Sequence, residues 1–182
     1  RHPIIFPNML LDFLATFFSS ATALLPIFAR EILAVGALGY GWLVAAPSIG
    51  AGLVALVFAF SAPIRQQGKA LLASVAVFGL ATIIFGLSRA FWLTLLALVI
   101  VGGSDGVSTI IRNTLRQLLT PDRLRGRMTS VNQMFFMGGP QLGELEAGLV
   151  AQAFGAPISV ISGGLGCLLT LGWVSARYPL LR

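Results

Sequence analysis

The chain has 182 residues, of which 57% are hydrophobic and 10% charged, with a mean hydropathy of +0.91. A soluble domain carries about 25% charged residues; this chain has too few polar groups to clothe a soluble helical core, so the composition points to an all-α, polytopic membrane helical bundle. The net charge is +6, yet the bases sit in gaps between apolar runs rather than on a basic face, which argues against a nucleic-acid partner.

A spanning helix needs about 20 mostly apolar residues. Six such runs follow one another, at roughly 5–29, 41–62, 69–88, 90–111, 128–152 and 156–176. No alternation of the kind a membrane barrel requires is present. The expected fold is therefore six transmembrane helices joined by short connections.

The first run holds Asp12, with Asn8 one turn before it and Thr16, Ser19 and Ser20 following on the same face. An acid inside a bilayer is costly and marks a pathway or a buried pair. This face either borders a wet cavity or places Asp12 at headgroup level. The second run contains Pro47, Gly50 and Gly52, the third has no acid, and a turn at Ser88–Arg89 leads into the fourth. Prolines kink membrane helices and small residues let them approach closely.

The fourth run ends in GGSDGVSTIIRN. Asp105, Ser108, Thr109, Arg112 and Arg116 recur at helical spacing and form a stripe. It lines a water path, or else Asp105 is buried against hydroxyls or a neighbouring helix's arginine. The following gap carries Arg112, Arg116, Arg123, Arg125 and Arg127. Thr120 before Pro121 suits a helix start and Gly126 a helix stop, giving a short surface helix at the headgroups. Its arginines are either the solvated cations of a cytoplasmic loop or a gate that closes against another half of the protein.

The fifth run contains PQLGELEAG, with Glu144 and Glu146 two residues apart. Each helical residue turns about 100°, so the two acids lie about 200° apart and cannot share a proton. Glu144 falls on a polar stripe with Gln133, Gln141 and Gln152, expected to face a cavity. Glu146 falls beside Gly139 and Gly143, expected to be a buried structural acid against another helix. The sixth run carries Gly163, Gly164 and the lone Cys167, which reads as a small hydrophobe.

With the N-terminus in the cytoplasm, Arg1, Arg65, Lys69, the five arginines of 112–127, Arg177 and Arg182 all fall inside. Only Arg30 and Arg89 fall outside, which is the bias of the positive-inside rule. Both termini are then cytoplasmic, in a multi-pass protein of a plasma membrane. His2 is the single histidine, and no nucleophile with a base or phosphate-cradling loop accompanies it. No catalytic activity, metal or cofactor is expected.

Three stretches carry a resemblance: ATALLPIFAREIL, GGSDGVSTIIRNTLRQLLTPDRLRGRMTSVNQMF and LGELEAGLVAQAFGAP. Together they resemble the C-terminal half of a major facilitator superfamily transporter, nearest the bacterial exporter branch of enterobactin and macrolide-efflux proteins. The resemblance implies two six-span halves around a central cavity with alternating access, so that an N-terminal half is missing here. It implies proton-coupled export of a siderophore, drug or similar amphipathic small molecule. It places runs one, four and five at the cavity, and runs three and six against lipid. The branch often has Asn-Glu before LGE, where this chain has Pro140-Gln141. Two other readings are a non-transporting six-span scaffold or assembly protein and a transporter built from two identical copies.

Overall fold

The computed structural model describes residues 17, 20–60, 66–119 and 125–177, with side-chain surroundings for all of these except 20–21, 115–119, 125, 127–132 and 134–137. All regular structure among the described residues is helical. We number the helices α1 (20–32), α2 (Ala37–Phe60), α3 (Gln67–Leu87), α4 (Phe91–Leu119), α5 (Arg125–Phe154) and α6 (Ala156–Arg177). The last five fall on the last five apolar runs of the sequence. Of the first run, residues 5–16, including Asp12, lie outside the described residues, as do Arg65, Thr120, Pro121 and Arg123.

Two boundaries differ from the sequence reading. α4 continues past residue 111 to Leu119, so Arg112 and Arg116 are helical residues rather than loop residues. Gly126 lies in the first turn of α5 instead of stopping a helix. The first difference has a simple cause: apolar content marks where a chain lies in lipid, whereas intrahelical hydrogen bonds persist beyond the bilayer where good helix formers such as Arg, Leu and Gln continue.

Helices over Ala37–Phe60, Gln67–Leu87, Phe91–Thr114 and Ala156–Arg177 are long and apolar enough to cross a membrane. α5 has 30 residues, but Gln133, Gln141, Glu144, Glu146 and Gln152 dilute its apolar character. On α2 only Leu43, Ala46 and Gly50 are buried, while Leu38, Trp42, Val44, Ile49, Leu53, Leu56, Val57 and Phe60 are exposed. A helix apolar all round needs lipid or protein against its free faces. The chain is therefore a multi-pass membrane protein.

α4 packs on α2 and α3, α3 on α6, α6 on α5, and α5 on α1. One core draws on all six helices. It joins Leu25 and Phe28 of α1, Leu43 of α2, Phe85 of α3, Leu98 of α4, Ala147 of α5 and Val160 of α6. The Phe28 and Phe85 rings meet at 4.5 Å and 39°. A second core near the other end of the bundle joins Leu71, Val75, Ile111, Cys167 and Val174. Cys167 is fully buried there, its Sγ 3.9 Å from the Val75 carbonyl oxygen, which suits a small apolar side chain.

Lipid is as apolar as a leucine face, so helices in a membrane associate through close packing and hydrogen bonds. Both are present. Ser159 Oγ of α6 donates to the Ala147 carbonyl of α5 at 2.8 Å. At the α2–α4 crossing Gly50 lies against the backbone of Val99 and Gly103, and Gly102 lies against the backbone of Pro47. At the α3–α6 crossing a Cβ on Gly79 would come within 3.2 Å of the Gly164 carbonyl. Gly52, also expected to support packing, faces open space.

Gly155 makes the turn from α5 to α6 at φ +92°, with its N–H donating to the Ala151 carbonyl at 2.8 Å. A side chain in left-handed backbone clashes with the following carbonyl. Gly155→Ala should lower stability by about 1–2 kcal/mol. Thermal unfolding in detergent checks this, and unchanged stability would contradict the left-handed turn.

Candidate functional site

The stripe on α4 becomes a site because of how a helix directs its side chains. Cα–Cβ bonds tilt towards the helix N-terminus, so a long side chain near the end of α4 reaches back along the span. Arg112 does this across two turns. Its Nη2 lies 3.6 Å from Asp105 Oδ1 and donates to Thr109 Oγ1 at 3.4 Å. The two ends of the pair differ sharply: the Arg112 side chain is 6% exposed and that of Asp105 52%. An arginine at this end of a span ordinarily snorkels outwards to the interface. Here the guanidinium is turned inwards and enclosed, while its carboxylate partner faces outwards from the bundle.

The surrounding hydroxyls differ in their commitments. Ser104 Oγ donates to the Ile100 carbonyl at 2.7 Å. Ser108, one turn before Arg112, is buried and its Oγ has no hydrogen-bond partner among the described residues. Thr109 is shared with Arg112. The arrangement is an ion pair within an apolar span, its guanidinium enclosed and its carboxylate half exposed.

α5 separates its two acids as helical geometry requires. Gln141, Glu144, Gly148 and Gln152 are exposed along one face. Gly139, Gly143 and Ala147 are buried on the face that packs inwards. Glu146 lies between these faces and is only partly buried, so it is less enclosed than its small-residue neighbours suggested. The sequence reading of Glu146 as a buried structural acid is corrected to this extent: residue 146 is about 100° from residue 147 on the helix, off the line of closest packing.

The remaining arginines of the expected gate are less fully described. Arg116, Arg125 and Arg127 lie on α4 and α5 with their side chains outside the description, and Arg123 lies outside the described residues altogether. Among the described residues no three His, Cys, Asp or Glu side chains gather as metal ligands would. What sequence reasoning missed is the identity of Asp105's partner. A neighbouring helix's arginine was considered, whereas the cation comes from α4 itself. Opposite charges seven residues apart were the available signal, because seven residues are close to two full turns.

The chain matches the transmembrane secretion effector family over residues 9–180. It is 33% identical over 143 residues to the multidrug efflux pump Tap of Mycolicibacterium fortuitum, a match that covers 78% of this chain and 34% of that protein. It is 25% identical over 130 residues to myo-inositol transporter 1 of Saccharomyces cerevisiae, covering 71% of this chain and 21% of the relative. It is 27% identical over 113 residues to a D-xylose transporter of Levilactobacillus brevis, covering 62% and 25%. The chain thus spans about a third or less of the length of these relatives. No solved structure is a significant match. With the match running almost from end to end, the chain belongs to the transmembrane secretion effector family of the major facilitator superfamily.

Proposed function

We propose that this chain is the C-terminal six-span half of a secondary active transporter that exports an amphipathic small molecule, drug- or siderophore-like, in exchange for protons. The protein sits in the bacterial inner (plasma) membrane with both termini of this half in the cytoplasm, and a second six-span half faces the exposed sides of α4 and α5. The observation that carries the reading is the Asp105–Arg112 pair. A carboxylate held at membrane depth beside an enclosed guanidinium, yet half exposed itself, can exchange its counter-ion for a proton or a cationic cargo group. A scaffold protein has no use for such a group.

The similarity to a secretion effector family and to an efflux pump supports export, and the two sugar transporters offer a sugar as the competing cargo. The exposed stripe of Gln141, Glu144 and Gln152 supplies a polar wall for the same cavity. On the topology read from the sequence, Arg116, Arg123, Arg125 and Arg127 belong to the cytoplasmic stretch proposed as the gate against the other half, and Asp12 is the acid of the first apolar run.

Glu144 is assigned the proton-linked role. In the full-length protein, Glu144→Gln should leave expression intact and lower proton-driven efflux by about tenfold or more, the rate equivalent of at least ~1.4 kcal/mol. Everted vesicles loaded with a fluorescent lipophilic substrate and energised by a pH gradient provide the measurement. Unchanged efflux would remove Glu144 from the coupling path. Energy-linked accumulation of a sugar instead would turn the reading from export to uptake.

A further inference from the structure

The connection from α1 to α2 is irregular in a way that ordinary chain reversal does not need. α1 passes from a 3₁₀ turn over Ser20–Leu24 to an α turn over Leu25–Ile27 and then to a π turn over Phe28–Ile32. The Leu33 N–H reaches back to the Phe28 carbonyl and the Val35 N–H to the Ala29 carbonyl, both at 2.9 Å. Ala34 sits at φ +50°, a left-handed conformation that costs an alanine free energy. Widened helical turns and strained residues concentrate where a backbone is shaped around something.

What they shape is a cleft of about 290 Å³, walled by Pro26, Ala29, Arg30, Val35, Gly36, Ala37 and Tyr40. Its lining is almost wholly apolar, and Arg30 is the one charged residue in it. Arg30 is exposed, and neither it nor Glu31 makes an ion pair among the described residues. Glu31 is next in sequence but does not line the cleft. The depth of the cleft is marked by aromatic side chains. Tyr40 lines it, Trp42 is 58% exposed two residues later, and Trp92 is 77% exposed in the first turn of α4 at the same end of the bundle. Exposed tryptophan and tyrosine at span ends sit at the level of lipid headgroups.

We propose that this cleft is a binding site for the headgroup of an anionic phospholipid, with the phosphodiester on Arg30 and the first carbons of the lipid against Pro26, Ala29, Val35 and Ala37. Charge and shape both point to an amphiphile. A soluble anion would shed water against four apolar side chains for a single cation, whereas a lipid already at this depth supplies the phosphate and the apolar stem together. The volume lies at the lower edge of ligand pockets, about 300 Å³ and upwards, so it holds a headgroup and leaves the acyl tails in the bilayer. The proposal rests on membrane embedding alone, and its failure leaves the transport reading untouched.

The test titrates the full-length protein in detergent with phosphatidylglycerol and counts bound lipids by native mass spectrometry. Arg30→Gln should weaken the tightest binding event by about five-fold, the loss of one cation–headgroup contact. Gly36→Leu should weaken it as well while keeping every charge, because a Cβ at Gly36 meets nothing within 4 Å and the added side chain can enter the cleft without disturbing the helices. Arg89→Gln removes the other arginine at this end, outside the cleft, and should leave that event unchanged. Equal binding by wild type and Arg30→Gln would overturn the site. So would an equal loss in Arg89→Gln, which would mean diffuse surface charge. Displacement of the lipid by an equal concentration of inorganic phosphate would also overturn it, by assigning the cleft to a soluble anion.

Discussion

Replacing Gly102 by leucine should abolish the folded bundle, and replacing it by alanine should already cost about 3 kcal/mol or more. A Cβ at this position falls on the backbone of Pro47, including its carbonyl. A flexible side chain could step aside, but a carbonyl in a helix cannot. α2 and α4 would have to separate along their whole crossing, where Gly50 meets Val99 and Gly103 in the same way. Gly52→Leu is the matched control. It lies on the partner helix α2, two residues from Gly50; its Cβ position is open, and its effect should stay within about 0.5 kcal/mol. The folded fraction after detergent extraction, with thermal unfolding of the alanine variant, separates the two. Rescue of Gly102→Ala by shortening a side chain on α2 would refute the argument, since the obstacle is main chain.

The second large effect concerns the charge pair on α4. Asp105→Asn should destabilise the protein by about 1–3 kcal/mol, below the ~3–5 kcal/mol of a fully buried pair because Asp105 is half exposed. Arg112→Gln should cost less, about 1 kcal/mol or under, because the remaining carboxylate is half exposed rather than enclosed. The order matters more than either value: the enclosed member suffers when its partner goes. The double variant should be more stable than Asp105→Asn alone, with a coupling of about 1–2 kcal/mol. Reversible unfolding in mixed detergent, run as a double-mutant cycle, measures this. Strict additivity would mean that the 3.6 Å approach contributes nothing.

Which residues share a helix face was legible because helical spacing converts sequence into direction. Asp105, Thr109 and Arg112 repeat at three to four residues, and they meet on one side of α4. Glu144 and Glu146 are two apart, and they point to different surroundings. Local geometry suffices for such statements because α-helices in lipid have nowhere else to satisfy their backbone groups. Spacing does not report enclosure. It could not show that Arg112 is buried while Asp105 is open, that Ser108 lacks a partner among the described residues, or that Glu146 is only partly covered. Those facts depend on which neighbouring helix lies against each face.

The glycines make the same division. Gly50, Gly52, Gly102 and Gly103 look alike in sequence, yet three of them meet the partner helix at the α2–α4 crossing and Gly52 meets nothing. The cleft at Arg30 was invisible for another reason. It arises from a π turn and a left-handed alanine, and no residue type in FAREILAVG requires either. Composition, run length and periodicity by themselves determined that this is a helical membrane protein, where four of its apolar helices fall and which residues share a helix face, since each follows from transfer into lipid and a fixed 3.6-residue turn. The tertiary structure alone decided which faces are covered, which charges are enclosed and which glycines matter, because those depend on distances between segments far apart in the chain.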